Sequence, residues 1–186
     1  MQGMFSTAGY SATTWDIGDL SSWDTSKATN MESMFNRAGY NAETFNIGNI
    51  GNWNVSKVTN MQHMFYYSGY NSTTWNIGNL SNWNTSQVTN MRNLFIYAGK
   101  NATNWNSFGT LKIYASNITN LFGGCKNANG TLNIYTNPTS YNGAFTDAAT
   151  AGSGITVNYK STVTNIDNII ATKSATSQIF KGNVLN

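Results

Sequence analysis

Hydrophobic positions in the first half of the chain recur every 30 residues, on top of the shorter periods of strands and helices. The phrase Val58-Thr59-Asn60-Met61, followed by Met64-Phe65, is the clearest copy. It returns as Ala28-Thr29-Asn30-Met31 with Met34-Phe35, and as Val88-Thr89-Asn90-Met91 with Leu94-Phe95. Weaker echoes stand at Ile118-Thr119-Asn120-Leu121 and Val163-Thr164-Asn165-Ile166. A fixed period of this size marks a repeat architecture. One unit cannot bury its own apolar face, and stacked units can.

Local patterning predicts the parts of a unit. Phe45-Asn46-Ile47-Gly48 alternates apolar and polar, the signature of a short half-buried strand. Ile50 and Trp53-Asn54-Val55 form a second alternating stretch. Met61, Met64 and Phe65 stand at i, i+3 and i+4, which predicts one face of a brief helical turn. Thr59 with Gln62, and Thr29 with Glu32, have the spacing of a capping box. Stacking would line up equivalent residues as ladders. Trp15, Phe45, Trp75 and Trp105 make one, and Trp23, Trp53 and Trp83 a second. Asn30, Asn60, Asn90 and Asn120 make a polar ladder beside Thr29, Thr59, Thr89 and Thr119, each amide bonding its own coil and the next.

After Phe95 the period shortens. Thr110-Leu111-Lys112-Ile113, Thr131-Leu132-Asn133-Ile134 and Gly154-Ile155-Thr156-Val157 read as further strands. Leu121-Phe122 and Gly143-Ala144-Phe145 fill the place of Met64-Phe65, and Cys125 takes the small-residue slot of Ala38, Ser68 and Ala98. The expected fold is an α+β repeat solenoid of about six stacked coils, with short parallel strands and short helical turns. It spans 1–186 as one domain: three long repeats over 1–95, shorter degenerate repeats over 96–166, and a C-terminal cap over 167–186. Such a cap would cover the unpaired edge of the last strand.

Composition narrows the function classes. Charged residues are 9% of the chain, against about a quarter in ordinary soluble proteins. With 40% hydrophobic and 13% aromatic residues, the chain is too apolar for disorder. The net charge of +3 comes from scattered lysines and arginines without a basic run, which argues against a nucleic-acid partner. The single cysteine excludes an intrachain disulfide. No apolar stretch approaches a membrane span, and no signal segment opens the chain. Met1-Gln2-Gly3-Met4-Phe5 is in register with Met31-Glu32-Ser33-Met34-Phe35, so further repeats are expected upstream in a longer parent.

The units Trp23-Asp24-Thr25-Ser26, Trp53-Asn54-Val55-Ser56 and Trp83-Asn84-Thr85-Ser86, each followed by its Thr-Asn-Met phrase, resemble the BspA-like leucine-rich-repeat surface proteins of bacteria, in particular their lipoprotein branch. The resemblance implies a right-handed, leucine-rich-repeat-like stack and a cell-surface or secreted location. It also implies adhesion or protein contact as the role, with a protein or glycan on a host or neighbouring cell as partner. It implies no enzyme activity and no fixed binding residues. A structural spacer, and a carbohydrate-binding or virion receptor-binding module, are the alternative expectations.

Candidate chemistry is sparse. His63 is the only histidine, so neither a multi-histidine zinc site nor a Ser-His-Asp set is expected, and no catalytic residue or cofactor is assigned. His63 reads as a solvated surface residue whose slot tolerates any side chain. Asp16, Asp19 and Asp24 have oxygens that could hold calcium, but the next unit carries Asn46, Asn49 and Asn54 in those slots, which favours turn-forming roles. Slots that change between repeats should face solvent. On that basis Tyr66, Tyr67, Ile96 and Tyr97, rimmed by Arg37 and Arg92, are the candidate binding surface. Tyr10, Tyr40 and Tyr70, which give way to Lys100, are expected at a coil corner.

Overall fold

A computed structural model describes residues 1–186. The chain winds as a parallel β-solenoid, mostly sheet with little helix. Strands β1 (Thr44–Asn46), β2 (Thr74–Asn76) and β3 (Asn104–Trp105) form a parallel sheet in that order. Its register is the sequence repeat itself: Phe45 lies opposite Trp75, and Trp75 opposite Trp105. The aromatic residue of each strand points inward between outward threonine and asparagine. The rings stack at 5.3 Å for Trp15–Phe45, 5.8 Å for Phe45–Trp75 and 4.4 Å for Trp75–Trp105, as the first predicted ladder requires.

Strands β4 (Thr110–Ile113), β5 (Gly130–Ile134), β6 (Ile155–Lys160) and β7 (Ile179–Leu185) form a second parallel sheet. Leucine and valine replace the rings here, with Leu111 opposite Leu132 and Leu132 opposite Val157. This sheet continues a different corner of the long coils. Leu80 N–H donates to Phe108 O at 2.9 Å, and the Thr85 hydroxyl to Lys112 O at 2.6 Å, just as the Thr25 hydroxyl donates to Asn54 O at 3.1 Å. The corner formed by Leu20–Thr25 therefore runs through Ile50–Val55 and Leu80–Thr85 into β4 and on to β7. The long coils carry the first sheet as an additional side, and it stops at β3. There the Asn127 and Asn129 amides donate to Ala102 O and Trp105 O at 2.8 and 2.9 Å; Trp105 O is the counterpart of the Trp75 O that accepts Asn106 N–H one coil earlier, so a side chain takes the place of a further strand there.

The expected helical turns are not helices. Around Met61-Met64-Phe65 every second N–H closes a turn: Met64 to Met61, Tyr66 to His63, Ser68 to Phe65. The alternate N–H groups of Met61, His63, Phe65 and Tyr67 cross to Asn90, Arg92, Leu94 and Ile96 of the next coil. His63 and Tyr67 have φ of 58° and 56°, and a left-handed residue in each short turn prevents helix propagation. Met61, Met64 and Phe65 are nonetheless all buried. A chain of tight turns thus gives the inward spacing that the sequence pattern had assigned to a helix. The one α-helix, α1, covers Ile166–Ile170. Neither the α+β class nor the count of about six coils is carried by the regular structure, whose first sheet has three strands.

The capping boxes are also replaced. Asn60, not Thr59, ties the turn, its Oδ1 accepting Gln62 N–H at 3.0 Å while its amide donates to Glu32 Oε2 of the coil before at 3.0 Å. The Thr59 hydroxyl donates to Thr29 O across the coils. The asparagine column runs Asn30, Asn60, Asn90, Asn117 and ends at Ser140. Asn117, rather than Asn120, is the fourth rung because the coil after Asn90 is shorter, which also sets Phe122 on Phe95 at 4.8 Å. Of the second tryptophan ladder, Trp53 and Trp83 are buried and donate from Nε1 to Leu20 O and Ile50 O, while Trp23 on the first coil stays partly exposed. Within residues 167–186, β7 pairs in parallel with β6 as the last strand of the second sheet.

Backbone bonding and the core hold this fold together. Of 98 backbone–backbone hydrogen bonds, 81 lie outside regular helices and strands, mostly between or within coils. A single cluster of 47 buried residues runs along the inside. One exposed ion pair, Lys181–Asp167, adds little.

Candidate interaction face

The tight-turn side of each coil presents two outward residues, and the second of each pair has a left-handed backbone. The slot of Thr7, Arg37, Tyr67, Tyr97 and Gly124 is left-handed in every coil, with φ between 56° and 72°. A left-handed Cα turns its side chain outward against the next coil's equivalent. Tyr67 and Tyr97 therefore meet, with centroids 4.7 Å apart, and Tyr66 leans on Tyr67 at 4.5 Å.

The predicted cluster comes together, but half-buried rather than exposed, because the rings shield one another. Tyr40 and Tyr70 join it: Tyr67 stacks on Tyr70 at 5.3 Å and on Tyr40 at 6.2 Å. Tyr10, Tyr40 and Tyr70 form a column of their own, each pair 4.8 Å apart. The expected corner residues and the expected patch are thus one aromatic band. The signal that could have joined them was in the sequence, since both sets recur at the same 30-residue step on either side of one glycine (Gly39, Gly69).

Cations sit at both ends of this band. The Arg37 guanidinium lies 5.9 and 5.7 Å from the Tyr66 and Tyr67 ring centroids. Lys100 lies 5.0 and 5.1 Å from those of Tyr70 and Tyr97, and its Nζ donates to the Tyr70 hydroxyl at 2.8 Å. Arg92, the other expected rim residue, makes no cation–ring contact; Lys100 takes that place. Burial within the band, reinforced by the neighbouring tyrosines, pushes the Tyr67 hydroxyl up to about 12. The hydrogen bond to Tyr70 holds the Lys100 ammonium above its usual range.

The band ends on a glycine pair. Ile96 packs over Gly123, and a Cβ on Gly124 would fall 2.2 Å from ring carbons of Tyr97. Beyond it opens a shallow cleft of about 350 Å³ lined by Tyr97, Lys100, Lys126, Asp147, Thr150 and Thr176, among others.

His63 borders the band edge-on to Tyr66 at 5.2 Å. It is not the solvated residue expected. Its Nε2 lies 2.8 Å from Asn93 Nδ2, and burial, then the Arg92 charge, lowers its pKa. Its slot is left-handed from Gly3 through Ser33, Asn93 and Asn120 to Gly143, so the range of side chains there reflects a backbone requirement. Asp16, Asp19 and Asp24 each accept the N–H two residues on, at 2.7, 2.8 and 2.9 Å. Asn46, Asn49 and Asn54 do the same in the next coil. Cys125 is buried, its thiol donates to Phe95 O, and burial pushes its pKa far up, leaving it chemically quiet.

Residues 1–135 match the model of a family described as "Mycoplasma protein of unknown function, DUF285". The chain belongs to this family. The matched part of this DUF285 chain holds the three long coils, the whole aromatic band and the strands through β5. No curated protein and no solved structure matches the DUF285 chain.

Proposed function

We propose that this DUF285 chain is a non-enzymatic binding domain of a cell-surface or secreted protein, and that the tyrosine band is where it meets a protein partner. The observation that carries this reading is the band's construction. The inward slots repeat their residue type from coil to coil, while these outward slots vary, and in two adjacent coils they bring Tyr66, Tyr67, Ile96 and Tyr97 together. Tyrosine and arginine supply rigid contact area and charge at binding hot spots. Elsewhere the solenoid surface is mainly asparagine, threonine and serine, which bind water well and offer little apolar area. The repeated Trp-Asn/Asp-x-Ser phrases and their BspA-like resemblance support a surface location and an adhesive role.

The test is binding of the labelled domain to intact animal cells, with the Tyr66→Ala/Tyr97→Ala double variant alongside. Binding that disappears after trypsin treatment of the cells, and falls about ten-fold or more in the double variant, is the expected result. Binding unchanged by the double variant removes the band from the function. Survival of trypsin with loss after glycosidase treatment points to a glycan instead. No binding in any arm leaves the spacer role.

A further inference from the structure

The tyrosine band carries positive charge that the molecule itself does not neutralise. Arg37 at one end and Lys126 beyond the other are exposed, and neither has a carboxylate partner, since the one ion pair is Lys181–Asp167. Lys100 stands between them, with one of its three N–H donors on the Tyr70 hydroxyl. Two carboxylates on this side of the coils are already held by neighbours. Glu32 accepts the Asn60 amide at 3.0 Å, and Asp147, on the cleft wall, accepts the Ser174 hydroxyl at 2.6 Å. The rings offer edges more than faces. Tyr70 lies between Tyr40 at 4.8 Å and the Lys100 ammonium at 5.0 Å, and Tyr67 between Tyr70 at 5.3 Å and Tyr97 at 4.7 Å. A sugar stacks on an open ring face, and these faces are covered.

We propose that the partner segment taken by this band, on the protein-binding reading above, is acidic and extended, with two carboxylates four residues apart and an apolar side chain midway. Arg37 N–H bonds to the Tyr66 coil, Tyr67 N–H to the Ile96 coil and Tyr97 N–H to the Gly123 coil, so Arg37 and Lys126 stand three coil steps apart. At roughly 4.8 Å per step that is about 14 Å along the solenoid. An extended chain rises about 3.3 Å per residue and returns to the same face at every second residue. Residues i and i+4 therefore span about 13 Å on one face, a carboxylate at each cation, and residue i+2 falls over Tyr67 and Tyr97. The Arg37 guanidinium can hold its carboxylate through two parallel N–H bonds. Lys126 and Lys100, which line the same cleft, take the other. The hydrogen-bonded Asp147 on the cleft wall repels that carboxylate and keeps it on the lysine side.

A library of random peptides displayed on phage and panned on the domain reads the preference directly. The enriched peptides are expected to carry Asp or Glu at i and i+4, and to bind about ten-fold more weakly when both are changed to the amide. Arg37→Glu/Lys126→Glu, at two exposed positions, should lose these peptides and bind instead the same sequences with lysine at i and i+4. Misfolding cannot produce that gain. Binding that survives moving the two acids next to each other overturns the proposed spacing. Enriched peptides without an acidic preference, lost in Tyr66→Ala/Tyr97→Ala, overturn the acidic segment and leave the band as the protein site. Peptides whose binding ignores the tyrosine variant, or no enrichment at all, overturn both.

Discussion

Replacing Trp75 by alanine tests the ladder reading of the core most directly. The side chain is fully buried, between the Phe45 ring at 5.8 Å and the Trp105 ring at 4.4 Å. Phe65 and Phe95 meet it edge-on at 5.9 and 6.1 Å, and its indole N–H donates to the Ser68 hydroxyl at 3.2 Å. Truncating a buried aromatic costs about 3–5 kcal/mol, more where the surroundings cannot collapse. Here the rings above and below are pinned by strand register, so the gap stays open and the upper half of the range is expected. The indole's hydrogen bond adds little, because the Ser68 hydroxyl still donates to Phe65 O. A domain is stable by only about 5–15 kcal/mol, so the variant should be close to unfolding at body temperature. Urea titration followed by far-UV circular dichroism measures the loss without depending on tryptophan fluorescence. Trp23→Ala is the internal comparison. It is 36% exposed on the outermost coil, with Phe5 at 5.7 Å as its ring neighbour, and should cost about half as much. A Trp75→Ala cost below about 1 kcal/mol, or one equal to that of Trp23→Ala, refutes the stacked core.

His63 predicts a pH effect. Its folded pKa lies below the unfolded value of 6.5, so the unfolded chain binds the extra proton, and stability should fall as pH drops through that value. His63→Asn places asparagine, already present at Asn93, in a left-handed slot that suits it, and should flatten the thermal midpoint between pH 7 and 5. Gly124→Ala puts a methyl into the Tyr97 ring and should displace it, reducing the near-ultraviolet tyrosine dichroism. In a double-mutant cycle with Tyr97→Ala the stability loss should largely vanish, and full additivity would show that Gly124 is required for its backbone instead.

Much of the solenoid was legible because its register is a sequence register. Phe45, Trp75 and Trp105 face one another since thirty residues make one long coil, and the short strands at Leu111, Leu132 and Val157 alternate visibly. The turn side was not legible in the same way. An i, i+3, i+4 pattern of buried methionine and phenylalanine arises both from a helix and from linked tight turns. Among the residues that decide between them, Arg37 and Tyr67 have no left-handed preference of their own. Their conformation is imposed by N–H groups that must reach the coil above. The shift from Asn120 to Asn117 had a clue in Leu121-Phe122, which aligns with Met64-Phe65 only if Asn117 stands for Asn60. Tyr66, Tyr67 and Tyr97 were found by their variability between repeats. Their burial against Tyr40 and Tyr70 was missed, since variability reports which side faces out and not how outward rings pack.

The two amides that finish the first sheet make the molecule directional in how it can lengthen. Asn127 and Asn129 fill Ala102 O and Trp105 O with side-chain donors, so a duplicated long unit inserted beyond them would have to displace those amides to pair along its broad side. Inserted anywhere before them, the same thirty residues would meet free partners above and below. Length can therefore be gained or lost among the early units by whole-unit duplication or deletion while the later, narrower coils stay unaltered. Each such event would add or remove one rung of tyrosine on the outer face.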